Sequence, residues 1–210
     1  MTATLPVAID ELVVADDPSA WAAAGFTVEG DLCRVGTVRI RLVGAGRERG
    51  VLSWSLSGIA GSVTDVDGLP TSASVRPPAD PAEHPLGITH LDHLVLSTPD
   101  LVRTEAALAA IGLSARRHRD TELGGAPLRQ VFYRMNEVIL EVIGAPDVAG
   151  EGPASFWGLT HAVTDIDAAA ALLGERTGRV KDAVQKGRRI TTLRHRELGI
   201  SVATALISQQ

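Results

Sequence analysis

Apolar and polar positions alternate with a period of two along Ile88-Thr-His-Leu-Asp-His-Leu-Val-Leu-Ser97. That spacing puts Leu94 and Leu96 on one face of an extended strand and His93 and Val95 on the other. Thr98 is placed to cap a helix, and Pro99 falls at the first helical position, where its missing N–H costs nothing. Leu101, Val102, Leu108 and Ala109 then recur at helical spacing until Gly112 ends the run. Three strand patterns follow, over 113–118, 129–134 and 137–143, with turns at Gly124-Gly125 and Met135-Asn136. The order is strand, helix, strand, strand, strand.

The same order returns downstream. A strand over 156–163 is followed by a cap at Thr164-Asp165 and a short helix from Ile166 to Leu173 that Gly174 ends. Strands over 179–184, 189–194 and 199–207 complete the unit. Upstream, Ile9-Asp-Glu-Leu-Val-Val-Ala15 parallels Leu91-Asp-His-Leu-Val-Leu-Ser97, and residues 36–44 parallel 136–144. Asp17-Pro18 repeats the cap and the proline, and Gly25 ends a helix of barely two turns. A fourth copy begins at Val51 and dissolves into a Pro-, Ser- and Ala-rich stretch. Repetition at about 50–60 residues predicts an α+β fold of repeated βαβββ units. The expected division is a shortened N-terminal part over 1–67, a linker over 68–87 and paired units over 88–208.

Composition narrows the function classes. The chain has 210 residues, 45% apolar and 21% charged, which is ordinary for a globular protein. Its single cysteine, Cys33, excludes an internal disulfide framework. A net charge of -5 argues against nucleic-acid binding through bulk positive charge, and three Trp, one Tyr and three Phe make a poor base-stacking surface. No segment has the roughly 18 apolar residues of a membrane span, and the N-terminus lacks a signal-peptide pattern. A cytoplasmic protein with a small-molecule partner is the expectation.

A repeated strand–helix–three-strand unit that opens on Asp92-His-Leu-Val-Leu96 and closes on Val138-Ile-Leu-Glu-Val-Ile143 resembles the vicinal oxygen chelate superfamily. This is the glyoxalase and bleomycin-resistance fold. The resemblance implies curled mixed sheets forming half-open barrels, helices outside, and a small-molecule cavity. It implies a lyase- or isomerase-type enzyme acting on a vicinally oxygenated molecule, or else a metal-free protein that sequesters an antibiotic-like ligand. Members often pair across a dimer, so a homodimer is expected.

The family's metal ligands lie on the first and last strands of each unit, positions matched here by His93 and Glu141. Imidazole and carboxylate suit zinc, iron, manganese or nickel. In the following unit the matching positions are Gly158 and Ala203, which cannot bind a metal, and His161 falls on the opposite strand face. In the first unit they are Glu11 and Arg41, a pair suited to an ion bridge. Glu11 is the candidate third ligand if the first unit joins the site. Glu141 and Glu137 are the candidate proton-transfer groups. A histidine on only one first strand disfavours an extradiol dioxygenase.

Basic positions at 116, 117, 119, 181, 186, 188, 189, 194 and 196 read either as solvated edge strands or as a cavity rim selecting an anion. The glycines of residues 44–50 precede a strand, with no helix N-terminus to receive a pyrophosphate. Trp54 and Trp157 are core or cavity-wall candidates, and Cys33 reads as a small buried residue.

Overall fold

The computed structural model describes residues 6–209. The N-terminal sheet holds β1 (Ala8–Val14), β2 (Val28–Glu29), β3 (Leu32–Val35), β4 (Val38–Leu42), β5 (Val51–Ser57), β6 (Asp65–Val66) and β7 (Leu69–Ala73). Helix α1 (Pro18–Ala23) follows β1, and the strand order is β2-β3-β4-β1-β5-β7-β6. The C-terminal sheet begins with β8 (Ile88–Ser97), α2 (Leu101–Ala110), β9 (Arg117–Leu123), β10 (Ala126–Met135) and β11 (Val138–Gly144). It continues with β12 (Ser155–Val163), α3 (Ile166–Leu173), β13 (Lys181–Asp182), β14 (Arg189–Thr192) and β15 (Ala203–Ser208), in the order β13-β14-β15-β12-β8-β11-β10-β9.

Each sheet is a pair of units joined through their first strands. β8 runs antiparallel to β12, and each is parallel to the last strand of its own unit, β11 and β15. β1 and β5 repeat the scheme with β4 and β7. The expected βαβββ architecture is therefore present, and a fourth unit is closed by β7, which lies inside the stretch read from sequence as a 68–87 linker. Its pattern is weak because only Leu69 and Thr71 are buried, while Pro70 and Ser72 face out. Thr71 earns its place by accepting a hydrogen bond from the buried Trp54 indole at 2.7 Å.

Local differences have similar causes. The N-cap of α2 is Asp100, whose carboxylate accepts from the Arg103 N–H at 3.0 Å, whereas Thr98, two residues earlier, accepts from the Asp100 N–H. Asp17 and Asp165 cap α1 and α3 as the sequence predicts. β9 starts at Arg117 rather than Leu113; it is a polar edge strand with no apolar alternation to mark it.

The apolar faces of the two sheets share one core with the helices, including Leu12, Ile40, Leu56, Leu94, Leu96 and Leu140. Burying each such side chain contributes about 1.5–3 kcal/mol. Polar struts cross between the sheets. Glu137 accepts from both the N–H and the hydroxyl of Thr37 at 2.6 Å, and Asp67 accepts from Arg103 and Thr104 at 2.5 Å. The first strut requires Gly36, which has φ +59°, because a Cβ there would lie 2.5 Å from the Glu137 carboxylate.

Candidate active site

The central feature is a β-bulge in β8. His93 pairs with Thr160 and Leu91 with His161, so Asp92 has no partner on β12. An extra residue breaks strict alternation and re-aims its side chain. Leu91 thereby joins Leu94 in the core, and Asp92 reaches the same side as His93. Asp92 Oδ2 lies 2.5 Å from His93 Nδ1, so Nδ1 carries the proton of the neutral ring and Nε2 is left as the acceptor. Gln185 approaches that Nε2 with its amide nitrogen at 3.5 Å. Behind Asp92, Arg188 donates from both terminal nitrogens at 2.7 and 3.1 Å, and its Nε donates to the Ser208 carbonyl at 2.7 Å. All three side chains are buried. Burial alone would raise the Asp92 carboxyl, but the close donors of His93 and Arg188, with His90 nearby at 3.7 Å, hold it well below the ordinary carboxylate range.

Three adjoining hollows line the concave face of this sheet. The middle one, about 360 Å³, brings together His93, Glu141, Gln130, Thr160 and Arg119. Glu141 sits opposite Val95 on β11, a diagonal neighbour of His93, and accepts from the Gln130 amide at 2.5 Å. A second hollow of about 330 Å³ extends from Glu141 toward apolar walls that include Trp157, Ile143 and Leu128. The third, about 680 Å³, opens from His93 and Phe132 toward the basic residues of β9. Trp157 thus lines the cavity and is largely exposed, while Trp54 is core. Cys33 is buried, and burial pushes its thiol up to about 12.

His93 and Glu141 are the two expected site residues that the fold brings together. Glu11 lies in the N-terminal sheet, where its carboxylate is 3.2 Å from Arg41 and 3.3 Å from Arg76. The expected Glu11–Arg41 bridge is present, and the two arginines occupy Glu11 in place of any ligand role. Glu137, the Thr37 strut described above, lines a different hollow, with His90, Asp92 and Arg188. Among the described residues, no group of three His, Cys, Asp or Glu side chains is arranged to hold a metal ion. Strand register also moves the counterpart of Glu141 from Ala203 to Ala205, since Glu141 faces Val95 and Ala205 faces Thr160. Gly158 does correspond to His93, and a Cβ there would meet the Ala203 carbonyl at 2.8 Å, so the position admits no ligand side chain without movement.

His161 occupies the opposite face, fully buried against Trp21 and Phe26 with ring centroids at 6.4 and 5.1 Å. Neither ring nitrogen has a hydrogen-bond partner among the described residues, and burial, aided by His84 and His90, pushes its pKa down to about 3. Below the ordinary value of 6.5 the unfolded chain therefore takes up a proton that the folded chain refuses. Stability should fall by up to about 1.4 kcal/mol per pH unit from pH 6.5 toward 4.5. Urea midpoints should show this slope flattened in His161→Leu; an unchanged slope would show that His161 does not titrate on unfolding.

Sequence reasoning missed Asp92, Arg188, Gln130 and Gln185. One signal was available for Asp92. The parallel between Ile9-Asp-Glu and Leu91-Asp-His keeps the aspartate in both copies, and β1 has the same bulge at Asp10.

The geometry can be set beside known proteins. The sequence matches no protein-family model and no curated protein significantly. A mutant of 4-hydroxymandelate synthase from Streptomyces coelicolor superposes with a TM-score of 0.68 at 13% identity, over 98% of this chain and 93% of that one. A catechol 2,3-dioxygenase matches at 0.61 and 13% over 99% of this chain and 93% of that one. A mutant homoprotocatechuate 2,3-dioxygenase from Brevibacterium fuscum matches at 0.61 and 12% over 99% and 72%. The chain has the vicinal oxygen chelate fold. In that fold both sheets of this chain are matched, and at these identities the likeness is one of architecture. No helix among the described residues is long and apolar enough to cross a membrane.

Proposed function

We propose that the C-terminal half-barrel is the active site of a lyase- or isomerase-type enzyme of the vicinal oxygen chelate fold, in which His93 moves a proton on a small, vicinally oxygenated molecule. The observation that supports this reading is the buried Arg188–Asp92–His93 chain, which fixes the imidazole tautomer and presents Nε2 to a cavity shared with Glu141. Such an arrangement serves proton abstraction next to a carbonyl. His93 Nε2 takes the carbon-bound proton, and the anchored Asp92 carboxylate offsets the charge that develops on the ring. Glu141, oriented by Gln130, carries the adjacent hydroxyl proton to the neighbouring carbonyl oxygen, and the His93 imidazolium returns its proton to the neighbouring carbon, which completes the isomerisation and restores both groups.

A divalent metal would find two protein donors here, His93 Nε2 and the Glu141 carboxylate. The donor set does not fit an ion held by three side chains, because Glu11 is bound by Arg41 and Arg76 in the other sheet. Proton transfer is accordingly assigned to the side chains themselves.

The test is deuterium incorporation, followed by NMR in D₂O with a strong chelator present, across a panel of small α-hydroxy and α-keto compounds. At least one member should exchange its α-proton faster than buffer alone, with no effect of the chelator. Binding without exchange would overturn the reading in favour of a sequestering protein. Exchange that disappears with chelation and returns with a divalent ion would give the chemistry to a metal.

A further inference from the structure

β9 sorts its charges by face. His118 and Asp120 point toward the helix side, where each finds a partner: Glu105 at 2.9 Å and Arg129 at 2.7 Å. Arg117 and Arg119 point the other way, into the 680 Å³ mouth of the half-barrel, where Arg116, Arg134 and Lys186 join them. No aspartate or glutamate lines this hollow. None of the five cations forms an ion pair within 4.0 Å among the described residues, although Arg34, Arg39, Arg41, Arg76, Arg103 and Arg129 all do so elsewhere. Charge placed only to protect a sheet edge from pairing needs no such segregation. The contrast is sharper because the chain as a whole carries a net charge of -5.

The mouth is also shaped. Lys186 and Val184 come from the segment after β13, at the far edge of the curled sheet, and face β9 across the opening. Phe132, Ile139 and Val184 supply apolar wall between the cations and His93. One carboxylate satisfies a single guanidinium fork. Four guanidinium groups and an ammonium call for several oxygens bearing at least two negative charges, which is the chemistry of a phosphate or diphosphate group.

We propose that the substrate carries a phosphate-bearing, polyanionic tail held by Arg116, Arg117, Arg119, Arg134 and Lys186, with an apolar stretch along Phe132 leading to the reacting head at His93. The proposal rests on the half-barrel being the substrate site, and it is tested by binding alone, so that its failure is separate from failure of the proton-transfer chemistry.

Isothermal titration of the intact protein with pyrophosphate, tripolyphosphate, citrate and acetate provides the test. Tripolyphosphate and pyrophosphate should bind, acetate should not, and affinity should fall steeply as salt is raised. Arg117→Glu/Arg119→Glu should weaken pyrophosphate about 30-fold or more. Arg49→Glu/Arg196→Glu makes the same charge change at exposed residues away from the mouth and should leave affinity within about twofold. Equal loss in both double variants would show bulk electrostatics and overturn the site. Citrate binding as tightly as pyrophosphate would overturn the phosphate assignment, and no binding of either polyphosphate would overturn the proposal.

Discussion

Arg188→Ala should lose about 3–5 kcal/mol of folding stability, the cost of leaving a buried carboxylate without its partner. Asp92 and Arg188 are 6% exposed, and the guanidinium supplies two of the close donors to that carboxylate. Lysine in its place would offer one point charge rather than a fork and should recover little. In Arg188→Ala/Asp92→Asn the stranded charge is gone, so that urea denaturation should show much of the loss restored. If the single variant costs under about 1 kcal/mol, water reaches Asp92 and the buried chain is not as drawn. The pH dependence has a definite sign. Asp92 is held below its ordinary value of 3.8 in the folded state, so its contribution is complete above that pH and is lost as pH falls below it. That acid-range loss should be absent from the double variant.

The N-terminal sheet offers an internal comparison for this site. Asp10 occupies a matching bulge and is likewise gripped by arginines, Arg39 and Arg76, the latter at 2.6 Å. Burial would raise its carboxyl, but hydrogen bonds from Ser74 and Arg76 and the charge of both arginines keep it low. An arginine-held aspartate at the bulge is thus common to both sheets. What differs is the next residue. Glu11 is consumed by Arg41 and Arg76, and Arg41 also binds Asp31 at 2.9 Å. Among the described residues, His93 Nε2 is approached by the Gln185 amide and by no carboxylate. The same frame therefore carries a closed ion network on one side and an open acceptor on the other.

This contrast explains how much could be read from the sequence. The repeat was legible because strand alternation, capping aspartates and helix-ending glycines are local signals, and they recur in register through Asp17, Gly25, Gly112, Asp165 and Gly174. The His93–Glu141 pair was legible through the family resemblance, whose first- and last-strand ligand positions the two residues match. Asp92 was not, since strict alternation assigns it to the face opposite His93, and only the pairing with β12 reveals the bulge. Arg188 was grouped with the basic positions of a solvated edge or a cavity rim because its partner lies 96 residues away in the chain. Strand β7 escaped, and edge strand β9 was placed too early in the chain, for the same reason: each is defined by a neighbour rather than by its own pattern.

His93→Ala should slow α-proton exchange by about 10²–10⁴-fold in the NMR assay, the usual worth of a positioned base, while leaving the fold intact. The fold should survive because Asp92 keeps both bonds from Arg188 when the imidazole is gone. Asp92 acts through His93, so it is a positioning residue, and its variant separates that role from a structural one. Asp92→Asn removes the acceptor that keeps the proton on Nδ1, and the amide can instead donate to Nδ1 and force the proton onto Nε2. The exchange rate should fall by about 10²-fold or more, and the ring nitrogen NMR signals of His93 should show the proton moved from Nδ1 to Nε2. A residue that only supported the strand would lower the rate, if at all, without moving that proton. Glu141→Gln keeps the shape of the hollow and should lower the rate without the same displacement. Equal ring signals for the parent and Asp92→Asn, with exchange intact in His93→Ala, would remove the imidazole from the chemistry and leave the half-barrel as a binding site alone.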